Sequence, residues 1–478
     1  MLKLASLPIF ICAICSLSNN YVQNSLRGAL RPSASASIPE GKTGDLKNGP
    51  WRAMLERKDG HSIVFNFDIK DSAGKKILYI RNGGERLLVD DVKIEGDSVL
   101  IRLPFFESQL RAVLTKDGNL EGVWLKRGAD GYQSVPFKAF YGEAFRFPVG
   151  GASAAGAQAS GASAGASGAA TGASGGSVQA SGGAAGVQAS GPGATTTGTG
   201  LSGRWKAEFL SPDGKDTSIR VGEFEQKGRL VTGTFLDPTG DFRYLEGVVD
   251  GDSLRLSCFD GGHAFLFTAR VEGNTLSGGQ YFSGAVSREN WTAVRDASAK
   301  LPDEFSLTKW KKDAGPLNFS FKDIDGKTVS LSDARFKGKV VLIQIMGSWC
   351  PNCMDETHFL SGFYDQYRSK GVEIIGLAYE RTTDFARSQN SLRSFQRRFQ
   401  VKYPMLITGV TVSDPQNAMK TLPQLVDSAI VGFPTTIFLD KKGNIQKIHT
   451  GFNGPGTGAH YEEQQKEFYL IVDGMLGE

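Results

Sequence analysis

The sequence predicts a multidomain chain of 478 residues, with two all-β domains, each a barrel or a sandwich, followed by an α/β domain. Three observations carry this expectation. Residues 49–148 and 201–297 are short runs of alternating apolar and polar residues broken by turn residues, the period-two pattern of strands. Residues 149–200, between them, are almost entirely Gly, Ala, Ser and Thr with a few Gln, a composition that cannot bury apolar surface. From residue 316 onward, apolar runs alternate with segments of helical periodicity, which implies a central sheet covered on both faces. A chain this long exceeds what one core supports.

At the N-terminus, Lys3 is followed by about fourteen apolar or small residues from Leu4 to Leu17 and then by polar Ser18-Asn19-Asn20, the form of a secretory signal over residues 1–18. The run is short for a membrane span, and no other stretch of 18 apolar residues occurs. Two fates are open. Cleavage beside Ser16-Leu17-Ser18 removes Cys12 and Cys15. Lipidation at Cys15 instead anchors the chain, although bulky Ile14 fits that signal poorly. Either way, the expected location is exported and periplasmic, in an oxidising compartment. A net charge of +4 implies no basic field for nucleic acid.

Residues 19–48 read as a polar tether. In the first β domain, 63–69, 76–80 and 98–103 are strand-like, and Asp59-Gly60, Asn82-Gly83 and Asp117-Gly118 are turn signals. The 149–200 linker, as a random coil, spans about 40 Å. The second β domain repeats landmarks of the first: Trp51 precedes Gly96-Asp97-Ser98 by 45 residues, and Trp205 precedes Gly251-Asp252-Ser253 by 46. Gly96 and Gly118, like Gly251 and Gly273, are 22 residues apart, so a duplicated unit is expected. Gly203-Arg204-Trp205 resembles lipocalin-like barrels, in which Gly-x-Trp closes one end. Trp205, Phe235, Phe259 and Phe265 either line a cavity or form core, and core is the commoner use of strand aromatics. Cys258 shares a strand face with Leu254 and Leu256 and reads as a buried hydrophobe. His263 falls in a turn. Residues 298–315 form a charged connector.

The α/β domain begins with a hairpin turning at Asp325-Gly326. Strands are expected at 340–345, 372–379, 403–407, 435–439 and 444–449, with helices at about 351–370, 384–399 and 461–475. Between the first of these strands and the first helix lies Gly347-Ser348-Trp349-Cys350-Pro351-Asn352-Cys353. Two cysteines two residues apart at a helix start form a dithiol able to close into a disulfide. The unpaired N–H groups and dipole of the helix favour a thiolate at the first cysteine. Pro351 suits the first turn, having no N–H to lose. Zinc is disfavoured, because the chain has 5 cysteines and 5 histidines and the nearest other cysteine that survives cleavage, Cys258, is in another domain. No metal and no cofactor beyond a redox-active Cys350–Cys353 disulfide is expected.

Residues 316–478 resemble the thioredoxin superfamily, specifically its exported TlpA- and ResA-like branch. The resemblance rests on Trp349-Cys350-Pro351-Asn352-Cys353, the Asp325-Gly326-Lys327 hairpin with Gly338-Lys339-Val340, Gly432-Phe433-Pro434-Thr435 and Asp440-Lys441-Lys442-Gly443. It covers about a third of the chain. It implies a thiol–disulfide oxidoreductase, more a reductase than an oxidant, in which exposed Cys350 attacks and the more buried Cys353 resolves. It implies that Phe433 and a cis Pro434 form a substrate platform beside Trp349 and Pro351, and that Glu356 serves the dithiol as a proton acceptor. Protein disulfides are the implied substrates and a membrane thiol transporter the implied electron donor. The chain departs from the pattern at Gln344, where thioredoxins carry an acid, and at His358, where this branch often has proline. Pro351-Asn352 matches neither reducing thioredoxins nor DsbA, so the direction of electron flow is open. A thiol peroxidase is disfavoured by Gly347, which stands where that chemistry needs Thr or Ser. The remaining alternative is a binding protein whose β domains hold a ligand and whose redox domain is accessory.

Overall fold

The computed structural model describes residues 45–104, 107–128, 131–149 and 200–477. The signal segment, Cys12, Cys15, most of the tether and nearly all of the 149–200 linker lie outside the described residues.

The first β region has nine antiparallel strands: β1 (Gly49–Glu56), β2 (Ser62–Ser72), β3 (Lys75–Asn82), β4 (Glu85–Val89), β5 (Asp91–Glu95), β6 (Ser98–Leu103), β7 (Ser108–Leu114), β8 (Leu120–Arg127) and β9 (Tyr132–Tyr141). Their order, β4-β3-β2-β1-β9-β8-β7-β6-β5, joins two meanders, β1 to β4 and β5 to β9, through the β1–β9 pair, and the sheet curls around one core. The second region comprises β10 (Gly203–Leu210), β11 (Thr217–Lys227), β12 (Leu230–Asp237), the two-residue β13 (Gly240–Asp241), β14 (Leu245–Asp250), β15 (Ser253–Phe259), β16 (Ala264–Glu272), β17 (Thr275–Ser283) and β18 (Ser287–Arg295). Pairing of β11 with β12, β12 with β14 and β10 with β18 closes these strands into a barrel.

The two units share their landmarks. Each Trp indole donates to the carbonyl four residues back, Trp51 to Lys47 at 3.1 Å and Trp205 to Leu201 at 2.9 Å. Each Trp also pairs across to the last strand, Trp51 opposite Tyr141 and Trp205 opposite Arg295. Gly96 and Gly251 are turn glycines at φ 58° and 63°, a left-handed conformation that favours glycine. Inside the second barrel, Phe209, Phe235, Phe267, Tyr281 and Trp291 are buried and stacked or edge-on to one another, and with buried Trp205 they form a core. Cys258 is in that core. Phe259 is not: it leaves its own barrel and stacks on Phe65 of the first at 4.0 Å.

Around Phe259 the barrels are joined by buried polar contacts. Asn82 Nδ2 donates to the Phe259 carbonyl at 2.9 Å, and the Phe259 N–H returns to Asn82 Oδ1 at 3.2 Å. Buried Arg146 reaches the Ser257 carbonyl and hydroxyl, both at 3.2 Å.

The C-terminal region is a seven-stranded sheet, in order β20 (Thr328–Ser330), β19 (Ser320–Asp323), β23 (Met405–Ile407), β22 (Val372–Ala378), β21 (Val340–Met346), β24 (Thr435–Leu439) and β25 (Ile445–Thr450). Strands β21 and β22 are parallel and buried along their whole length, which is why both read as largely apolar runs, interrupted only by Gln344 in β21 and by Glu373 and Gly376 in β22. The helices are α1 (Glu304–Leu307), α2 (Pro351–Tyr367), α3 (Phe385–Phe399), α4 (Asn417–Thr421) and α5 (Ala459–Gly477). Alternate β21 residues face opposite layers: Leu342 packs with α2, α3 and α5, and Ile343 packs with α4 and the segments around Phe319 and Leu425. One face is thus covered largely by loops rather than helices.

The 298–315 connector, expected as a spacer, is docked. Thr308 hydrogen-bonds Thr450 at 2.6 Å, and Trp310 bridges Leu425. The C-terminal domain, expected on long linkers, packs directly against both barrels, on the first through Arg387 and Glu107 at 2.6 Å and on the second through Arg243. Its guanidinium lies 2.7 Å from Asp355 of α2 and 2.7 Å from Glu85 of the first barrel.

Candidate active site

Strand β21 delivers the chain to Gly347-Ser348-Trp349, and α2 begins at Pro351 with Cys350 as its N-cap. Cys350 has extended backbone (φ −101°), so its sulfur turns back over the first turn and accepts the Cys353 N–H at 3.2 Å. Cys353 is fully buried, and burial, followed by the neighbouring Cys350, pushes its thiol well up. Cys350 corrects an expectation. Rather than exposed, it is only 4% accessible, because the residues flanking it are engaged: Trp349 and Phe433 meet edge-on, and Asn352 lies against the second barrel.

Glu356 lies one turn beyond Cys353 and is fully buried. Burial raises its carboxyl to about 7, although Thr436 Oγ1 donates to it at 2.7 Å and Gln344 Nε2 at 2.8 Å. Gln344, which departs from the thioredoxin pattern, therefore has a defined place. It holds the carboxylate that the helix supplies, and it also donates to Thr357 Oγ1 at 2.9 Å. The buried acid of this site thus stands on the helix, and the strand beside it supplies an amide.

The Phe433–Pro434 peptide is cis, and the Cys350 thiol donates to the Phe433 carbonyl at 3.6 Å. The structure thus brings Trp349, Cys350, Pro351, Cys353, Glu356, Phe433 and Pro434 together, whereas His358 points away toward Phe399. Three participants escape sequence reasoning. Thr436 comes opposite Gln344 only in the β21–β24 register. Glu380, buried and pushed up by that burial, accepts from Ser348 N at 2.8 Å and Ser348 Oγ at 2.7 Å, holding the loop before the dithiol. Its signal was positional, since it follows the C-terminal end of β22, the parallel neighbour of β21, and such ends converge on sites. The third is Thr239 of the second barrel, whose carbonyl accepts from Asn352 Nδ2 at 3.3 Å.

A family model described as Redoxin matches residues 311–464. Thiol-disulfide oxidoreductase ResA of Bacillus thuringiensis subsp. konkukian (strain 97-27) is 31% identical over 150 residues, covering 31% of this chain and 74% of that protein. Its namesake in Bacillus subtilis (strain 168) is 28% identical over 135 residues, covering 28% of this chain and 64% of that protein. Among solved structures, a thiol:disulfide interchange protein of the thioredoxin family from Chlorobium tepidum TLS aligns with a TM-score of 0.26 and 23% identity, over 34% of this chain and 99% of that one.

Proposed function

This chain belongs, through its C-terminal third, to the Redoxin family of ResA-like thiol-disulfide oxidoreductases, and from that premise we propose that it reduces protein disulfides through the Cys350–Cys353 dithiol. The observation that carries the proposal is the pairing of a helix-capping Cys350 with a buried Cys353 and Glu356 beneath it.

In the forward step, the Cys350 thiolate attacks one sulfur of a substrate disulfide. A mixed disulfide forms and the first substrate sulfur leaves as thiolate, to be protonated. Cys353 gives its proton to Glu356 and attacks Cys350 Sγ, breaking the mixed disulfide and releasing the second substrate thiolate. Two electrons have passed to the substrate, and Cys350–Cys353 is left oxidised. Cys353, held up by burial, needs a base for this step. A carboxyl poised at about 7 can take the proton and give it back near neutrality. Trp349, Pro351, Phe433 and Pro434 form the platform on which the substrate segment lies.

Export to the periplasm, removal of residues 1–18 or lipidation at Cys15, and re-reduction by a membrane thiol transporter complete the proposal. An exported dithiol has no direct access to cytosolic reductant. The filled aromatic interior of the second barrel supports a structural role for the β regions over a ligand-binding one.

The deciding measurement is the reduction potential of the pair in defined thiol buffers. A value near about −270 mV supports a reductase; one near about −120 mV makes the protein an oxidant and overturns the direction.

A further inference from the structure

The turn joining β12 to β13 lies on the face of the C-terminal domain where substrate would dock. We infer that this turn, Asp237–Asp241, is a built-in occupant of the substrate platform, and that disulfide exchange requires its displacement. The inference rests on the thiol–disulfide reading of Cys350 and Cys353 and concerns how that site is regulated.

The turn is organised before it meets the site. Asp237 pairs with Gly240 and Leu236 with Asp241 across the hairpin. The Asp237 carboxylate accepts from Thr239 N at 3.1 Å and Thr239 Oγ1 at 2.9 Å, and Arg220 fixes Asp237 from below at 3.2 Å. Such a rigid tip loses little entropy on docking.

It contacts residues that flank the platform on two sides, Gly432 before Phe433 and Asn352 after Pro351. Thr239 covers Gly432, the residue before Phe433, so closely that a β-carbon there would lie 2.5 Å from Thr239 Cγ2. The Gly451 N–H donates to the Pro434 carbonyl at 2.8 Å, and a β-carbon on Gly451 would lie 2.9 Å from the Pro238 carbonyl. Between the two cysteines, Asn352 donates to Thr239. A side chain at Gly240 would run into Asn352 and approach the Phe452 carbonyl to 2.8 Å.

The anchorage is polar and lies beside these contacts. Asp241 accepts from Gly454 N at 2.6 Å, and Arg243 binds Asp355 on the dithiol helix. The closed contact is also imperfect. Asn352 Oδ1 and Arg243 Nε are buried with no hydrogen-bond partner, although each would be hydrated if the surfaces parted. An interface held by a few charged contacts and weakened by orphaned polar atoms suits a cover that opens.

The test measures alkylation of the reduced full chain by iodoacetamide, read by mass spectrometry at Cys350. In the unaltered protein, Cys350 should react at least about a hundredfold more slowly than in urea, and equal rates would overturn the inference. Thr239→Trp, at the hairpin apex, is too large for the space over Gly432 and should speed Cys350 alkylation at least about tenfold. Arg243→Ala should act in the same direction. Cys258, buried in the barrel core, reports folding, since its rate should stay low in a folded variant. If Thr239→Trp leaves the rate unchanged or slows it, the turn is a fixed wall and the inference fails. Gel-shift titration in glutathione buffers separates the two readings. A reversible Cys350–Cys353 disulfide with no response to the variants sinks the cover alone, whereas no reversible disulfide sinks the oxidoreductase reading as well.

Discussion

In the second barrel, the buried interior is apolar: Trp205, Phe209, Phe235, Phe267 and Tyr281 fill it together with Leu245, Leu254 and Leu256. Under α2 the same depth of burial holds a carboxylate, an amide and two hydroxyls, from Glu356, Gln344, Thr357 and Thr436. Both interiors exclude water, yet only one holds an ionisable group whose proton is nearly balanced at neutral pH. Apolar packing is tolerant and can serve as scaffold. A buried carboxyl costs stability whenever it is charged, and so it marks the place where a proton is moved.

The sharpest way to break this comparison is at the dithiol. Cys350→Ser should lower disulfide exchange by about a thousandfold or more, measured on a protein disulfide substrate, with barrel unfolding unchanged. Cys353→Ser should accumulate mixed disulfides visible on non-reducing gels, and their absence would count against the two-step mechanism. Next in size is Phe259→Ala, which removes a ring shared by both barrels and should cost about 3–5 kcal/mol in urea unfolding. If only one barrel weakens, the shared core is not cooperative.

Glu356 sharpens the comparison through pH. Its folded-state value of about 7 lies above the ordinary 4.5, so the folded chain holds this proton more tightly than the unfolded chain. Its contribution is complete below about pH 4.5 and is lost as pH rises to about 7, a change on the order of 3 kcal/mol. Glu356→Gln should flatten that slope in unfolding measured from pH 4 to 8, and should slow release of the mixed disulfide by about a hundredfold. The smallest effect compares the two barrels with each other. Trp51→Phe and Trp205→Phe each delete one indole hydrogen bond and should each cost about 1 kcal/mol. A large inequality would mean that the repeated landmark does different work in the two copies.

What is legible in the sequence is what is local. Trp349 to Cys353 at a strand-to-helix junction, Phe433-Pro434 before a strand, and the turn glycines at matching spacing all declare themselves within a few residues. Gln344 reads as a loss from sequence, because its partner Glu356 is reached only across the helix–sheet contact. Thr436 requires the β24 register, and Thr239 and Arg243, each more than a hundred residues before α2, require the docking of a separate barrel. Phe259 follows Cys258 in β15, so alternation turns it to the outer face with its partner Ala264, whereas Phe265, opposite Cys258, faces inward; only the docking of the first barrel makes that outer face a buried one.

The closing strand pairs carry a consequence for how the molecule assembles. Nearly every strand in the barrels bonds a neighbour in the chain, so hairpins can form as local events. Apart from β12 with β14, which skips only the two-residue β13, the exceptions are β1 with β9 and β10 with β18, where Trp51 waits for Tyr141 and Trp205 for Arg295. Closing a loop of about 90 residues costs about 4 kcal/mol of chain entropy before any contact rewards it. Each β unit is therefore incomplete until its last strand arrives, and that pairing is the expected slow step. Because β18 immediately precedes the redox domain in the chain, the second barrel can be sealed, and its hairpin tip formed, before α2 exists to receive it.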